Sequence, residues 1–232
     1  MTEIVSYEQR GAVALLRMDD GKANALSSAW VAAMGAALDR AERVAKAVVL
    51  LGRPGRFSAG FDLKVMMSSP DAARALVLEG GALMLRCLEL RLPLVTAATG
   101  HAIAGGVLLL ATGDVRLGAA GDFKLGLNEV ANGMPVPIFA HELARMRLDP
   151  RALEESVLRA RMYSPDEAAR VGWLDRVVPA DALESAALAE AEALAVLPQP
   201  AYGTSKRSVR AAMIAHVRDT MASNLESFRI GT

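Results

Sequence analysis

Apolar residues along the chain gather into short unbroken runs, GAVALLRM (11–18), KAVVLLG (46–52) and LVTAA (94–98), with segments of helical spacing between them. Continuous runs of this length, bounded by glycine and proline, predict strands buried on both faces. An Ala-rich stretch from about Ser28 to Arg43 predicts a helix between the first two, giving a strand, helix, strand unit. RPGRFSAG (53–60) reads as a loop from its glycine and proline content, and a helix is predicted from about Pro70 to Leu90, with Pro93 stopping it.

The alternation continues with VLLLATG (107–113) as helix, DVRLGA (114–119) as strand and FKLGL (123–127) as a short strand, so the fold class is α/β. Helices then dominate, over 135–145, 150–160 and SPDEAARVG (164–172), where Ser164 caps, Pro165 fits the first turn and Gly172 ends the helix. LDRVV (174–178) is the last strand. Beyond Pro179 the residues are mainly Ala, Leu and Glu with no strand signal, which divides the chain into a core, 1–179, that holds the site and a helical region, 180–232. LPQP (197–200) separates two long helices there. The second, from about Tyr202 to Phe228, spreads its apolar positions over more than one face and is expected to pack on a neighbouring subunit.

Composition narrows the partners. The 232 residues carry 26 basic and 26 acidic side chains, so no global field draws nucleic acid or an anionic membrane. Pro93–Gly113 is long and nearly uncharged, yet Gly100, His101, Gly105 and Gly106 interrupt it, and it reads as buried strand, glycine turn and buried helix rather than a membrane span. MTEIVSYEQR lacks the basic and apolar regions of a secretory signal. Cys87, the sole cysteine, excludes an internal disulfide and reads as a small core residue in a reducing compartment, so a cytoplasmic location is expected.

Two stretches carry the pattern of chemistry. GRFSAGFDL (55–63) leaves a strand region and enters a helix through Gly60, and TGHAIAGGVLLLATGD (99–114) runs from strand through glycines into an apolar helix. Both place backbone amides at a turn where they can point into a cleft, and together they suit one oxygen that develops negative charge. Ser58 does not fit a nucleophile elbow, since Arg56 stands where G-x-S-x-G needs glycine. The second stretch is not G-x-G-x-x-G, and His101 reads as a hydrogen-bonded structural residue before it reads as a base. FKLGLNEVANGM (123–134) adds a single carboxylate, Glu129, in apolar surroundings, where an ionised group needs a partner or a use.

GKANALS (21–27), FSAGFDL (57–63), AIAGGVLLLATGD (102–114), GLNEV (126–130) and SPDEAARVGWLDRVVP (164–179) together resemble the crotonase superfamily, the enoyl-CoA hydratase/isomerase family, in its order and over most of the chain. The resemblance implies a spiral of ββα units and C-terminal helices that assemble homotrimers, often paired into hexamers. It implies an acyl-CoA thioester as ligand, with coenzyme A entering as part of the substrate, no separate cofactor and no metal. The amides of Phe61 and Gly105 would form the oxyanion hole, and Lys22, Ala23 and Ala59 would receive the adenine end. Lys22, Arg56 and Lys64 are the local cations available to the phosphates.

Within the family, a typical hydratase carries a second carboxylate at the position matching Leu108, and this chain departs from that pattern. GLNEV is similar to the delta-3, delta-2-enoyl-CoA isomerases of mitochondrial type, in which one glutamate, here Glu129, would take a proton from C2 and return it to C4. Apolar surroundings would raise its pKa toward the working pH. Glu129 capping a local turn or pairing with Lys124 or Arg145 is the structural alternative. Asp62, Asp122 and Glu142 are competing carboxylates that capping or surface pairing explains. The alternative functions are a hydratase or thioester hydrolase of the same fold, and a catalytically silent acyl-CoA-binding protein. Met66, Met67, the helix around 70–85 and Met134 are expected to line an apolar acyl pocket of undetermined length.

Overall fold

The computed structural model describes residues 3–226. β1 (Val5–Arg10) and β2 (Val13–Met18) form an antiparallel hairpin, and α1 (Ser28–Val44), capped by the Ser27 side chain, leads to β3 (Ala47–Leu51). β4 (Gly55–Ser58), α2 (Leu63–Met66) and α3 (Pro70–Glu89) follow, then β5 (Leu94–Ala98), β6 (Gly100–Ile103) and α4 (Gly105–Ala111). Next come β7 (Val115–Ala119), β8 (Leu125–Gly126), a 3-10 turn (Val130–Asn132) and α5 (Ile138–Arg147). α6 (Pro150–Val157), α7 (Pro165–Val171), β9 (Arg176–Val178), α8 (Leu183–Ala195) and α9 (Gln199–Glu226) complete the described chain.

The strands divide between a six-stranded sheet in the order β1-β2-β3-β5-β7-β9, parallel except for the first pair, and a smaller parallel sheet in the order β4-β6-β8. After the first turn, whose two strands both lie in the large sheet, β3–β4, β5–β6 and β7–β8 each lay one strand in the large sheet and the next in the small sheet before a helix. The expected α/β spiral of ββα units is this arrangement. The large sheet is covered on both sides, which explains its unbroken apolar runs. Val13, Leu15, Val49, Val95 and Leu117 meet Leu183, Ala187 and Ala191 of α8 on one face, while Ala14, Leu16, Val48, Leu50 and Leu94 face the main core.

Several expectations are corrected. VSYEQR is a strand although its outer half is exposed, because it pairs as an edge with β2. The predicted loop 53–60 contains β4, and the predicted glycine turn after β5 contains β6; both are short and find their partners only in the small sheet. The predicted helix over 135–145 begins at Ile138, after Pro135 and Pro137, and that over 150–160 ends at Val157. Ser164 caps α7 as expected, within a capping box that Glu167 completes, and Gly172 ends the helix in the left-handed region at φ 102°.

In α9 the buried positions Gly203, Lys206, Arg210, Ile214, Val217, Met221 and Leu225 recur at spacings of three and four, forming one stripe against α3 and α5 of the same chain. Much of its inward surface is therefore buried within the chain, more than the spread of apolar residues suggests. Val209 is exposed on the opposite side. Phe228, the expected end of this helix, lies outside the described residues. Among the described residues no helix is long and apolar enough to cross a membrane.

Candidate active site

The C-terminal ends of β4, β6 and β8 lie side by side, and each runs directly into one of the segments with chemical character. Register brings Ser58 beside Ala102 and Ile103 beside Gly126, and the Ala104 amide donates to the Gly126 carbonyl at 2.9 Å. Beyond β4 come Ala59–Phe61, beyond β6 come Ala104 and Gly105, and beyond β8 come Asn128 and Glu129.

The first two turns touch. Gly60 has φ 93°, and a Cβ placed on it would lie 3.0 Å from the Gly105 nitrogen, so glycine is needed for both conformation and proximity. Ala104 holds φ at 53°, a costly conformation without a glycine, at the entry to α4. The Phe61 and Gly105 amides donate to no other described residue. The Phe61 ring sits between two glycines: a Cβ on Gly80 of α3 would collide with its Cε1, and one on Gly105 would lie 3.1 Å from its Cδ2. At the far end of α4 the half-buried Arg147 donates to the Ala111 and Gly113 carbonyls at 2.8 and 2.6 Å. Burial lowers its pKa to about 9.

Glu129 starts the 3-10 turn that Gly133 closes in the left-handed region, and its own carbonyl accepts from the Asn132 and Met134 amides. Its neighbours in sequence, Val130 and Ala131, are exposed, but Glu129 is only 8% exposed. The side chain makes no cap bond, and Oε2 is buried with no hydrogen-bond partner. Arg145 pairs with Glu142 instead, which removes one proposed partner, and no ion pair to Lys124 forms. Burial raises the Glu129 pKa, opposed in part by the backbone amides of Glu129 and Asn128.

The carboxyl faces a cavity of about 120 Å³ whose lining includes Ala59, Phe61, Ala104, Leu108, Met66 and Phe139. Among its lining residues Glu129 is the only ionisable one. Leu108, 1% exposed, occupies the wall and offers nothing polar to hold water. Met66 and Met134 line the cavity as expected, whereas Met67 is exposed and does not.

Lys22, Ala23 and Ala59 also come together. The Ala59 amide donates to the Ala23 carbonyl at 3.0 Å, and Arg53 donates to the Lys22 carbonyl at 2.8 Å. The loop is organised by Asp20, whose carboxylate accepts from the Lys22, Asn24 and Ala25 amides. Burial alone would raise the Asp20 pKa, but these amides and Arg53 hold it below the ordinary value. Buried Asn24, with φ 51°, donates to the Met18 and Phe57 carbonyls and fixes the loop to the end of β4. Asp20, Asn24 and Arg53 were not picked out by sequence reasoning; the D-G turn at Asp20 is the only local signal of their role.

The remaining candidates have structural posts. Ser58 is buried, donates to the Asn24 carbonyl and accepts from the Gly60 amide. His101 accepts from the Lys124 amide and packs edge-on against Phe123. Asp62 caps α2, and Cys87 is buried, its thiol pushed up to about 11 by desolvation.

A family model described as enoyl-CoA hydratase/isomerase matches residues 8–229. The chain belongs to the enoyl-CoA hydratase/isomerase family. A crystal structure of a family protein from Pseudomonas syringae superposes with a TM-score of 0.95 at 40% identity, covering 97% of this chain and 98% of that one. The human protein named enoyl-CoA delta isomerase 1, mitochondrial, is 30% identical over 97% of this chain and 77% of its own length. A probable enoyl-CoA hydratase from Rhizobium meliloti (strain 1021) is also 30% identical, over 89% of this chain and 81% of its own. The family is thereby established, and both reaction names occur among its similar members.

Proposed function

We propose that this family member isomerises 3-enoyl-CoA to 2-enoyl-CoA. The observation that carries the reading is Glu129, the sole ionisable group lining a mostly apolar cavity whose other polar side chains are Asn128 and Asn132, with Oε2 unpartnered and Leu108 in the same wall. Shifting a double bond consumes no water and needs one group that accepts a proton from C2 and donates it to C4. A raised pKa suits both halves of that exchange, since neither protonation state is then far out of reach. The Phe61 and Gly105 amides, adjacent and without other acceptors, would hold the thioester oxygen as it gains charge in the enolate. The loop around Lys22, Ala23 and Ala59 would take the adenine end of coenzyme A, with no further cofactor and no metal.

Hydration uses a water placed and activated between two carboxylates, and Leu108 is a poor substitute for the second. Offering purified protein 3-hexenoyl-CoA and 2-hexenoyl-CoA separately distinguishes the reactions. The expected outcome is 2-hexenoyl-CoA from the first and negligible 3-hydroxyhexanoyl-CoA from the second. Dominant hydroxyacyl product would favour the hydratase, release of free coenzyme A the hydrolase, and binding without product the silent protein. Assembly through the 180–232 region as a homotrimer or hexamer, and residence in the cytoplasm, are part of the same proposal.

A further inference from the structure

The cavity beside Glu129 has an exposed end and a closed one. Leu63 and Asn132 are exposed at its rim, while Val77 of α3, Leu108 of α4 and Phe139 of α5 are each no more than 2% exposed. These three side chains form its inner wall, and Phe139 is the largest of them. Behind Phe139 the helices leave no slack. A Cβ added to Gly81 of α3 would lie 3.5 Å from the Phe139 ring and 2.7 Å from the Met221 sulfur of α9. Phe139 therefore stands where α3, α5 and α9 meet, with its ring filling the space that a longer ligand would need.

We infer that Phe139 is the stop that fixes acyl-chain length, and that the preferred substrates are short acyl-CoA thioesters. This rests on the acyl-CoA reading of the site. The cavity, about 120 Å³, is small beside the roughly 300–1,000 Å³ of pockets that enclose a drug-sized ligand, so it takes only a short acyl stem. C2 to C4 must lie against Glu129 for the proton to move between them. Little room is left beyond them, and the inferred acyl length is about four to six carbons.

Saturated thioesters test this without depending on turnover. Calorimetric titration of the whole protein with butanoyl-, hexanoyl-, octanoyl- and dodecanoyl-CoA is expected to give tighter binding up to hexanoyl, by about fourfold per buried methylene, and no further gain beyond it. Phe139→Ala is expected to move the break to octanoyl or longer; Phe139→Leu, a milder cut for the case in which the first variant fails to fold, to move it less. A dodecanoyl thioester that binds wild type many-fold more tightly than hexanoyl overturns the inference, as does a folded Phe139 variant whose break stays in place. Failure of the isomerase reading would look different: acyl-CoA bound with the same length profile, but 3-hexenoyl-CoA left unconverted.

Discussion

Two carboxylates in this molecule are largely withdrawn from water, and they are treated in opposite ways. Asp114, at the entry to β7, accepts from the Leu94 amide at 2.8 Å and pairs with Lys206 and Arg210 of α9 at 2.7 Å each. Glu129, at the end of β8, has a buried oxygen with no partner at all. A buried charge is tolerated when opposite charge and hydrogen bonds surround it, and such a group is a fastening. A buried acid with one oxygen left unpartnered costs stability, and its place beyond three converging strands makes it a candidate for ligand chemistry. The difference separates structure from chemistry better than burial alone.

Removing each charge should sharpen that contrast. Asp114→Asn leaves Lys206 and Arg210 buried beside a neutral amide, and denaturant melts should report a loss of about 3–5 kcal/mol. Glu129→Gln should do the reverse at neutral pH. Burial raises the Glu129 pKa above its ordinary 4.5, so the native protein keeps this proton over a range where the unfolded chain has released it. The stability it contributes is complete below 4.5 and is lost as the pH rises through the raised native value. At pH 7 the Gln variant should melt above wild type, and the gap should close as the pH falls to the ordinary carboxyl range. A Gln variant less stable than wild type at pH 7 would mean that the carboxylate has a partner after all.

A smaller effect should come from the amide pair. Gly80→Ala drives a methyl group into the Phe61 ring, and displacing that residue should cost about 10–10²-fold in kcat with a lesser change in KM. Adding Phe61→Leu removes the obstructed ring atoms while keeping the amide, and should restore part of the loss. A double variant no better than Gly80→Ala would separate the ring from the placement of the amide.

The sequence made the large sheet legible because Val13–Met18, Ala47–Leu51, Leu94–Ala98 and Val115–Ala119 are apolar on both faces. It hid two of the three strands of the small sheet. Gly55–Ser58 and Gly100–Ile103 are too short for periodicity to register and contain glycines that read as turns, whereas Leu125–Gly126 lies within the predicted short strand 123–127. Yet these strands bring the candidate site together, and the grouping of Phe61, Gly105 and Glu129, which the family resemblance implied, has its geometric basis in them. Glu129 was visible because charge is scarce around it. Gly80 and Phe139 were not, since their roles depend on which helix each one faces, and local pattern carries no record of that.

Glu129 is proposed as the group that moves the proton, and the most direct test is turnover of 3-hexenoyl-CoA by wild type and Glu129→Gln, with hexanoyl-CoA affinity measured alongside. A fall in kcat of about 10²–10⁴-fold with affinity nearly unchanged is the predicted result. Equal turnover by the two proteins would contradict it.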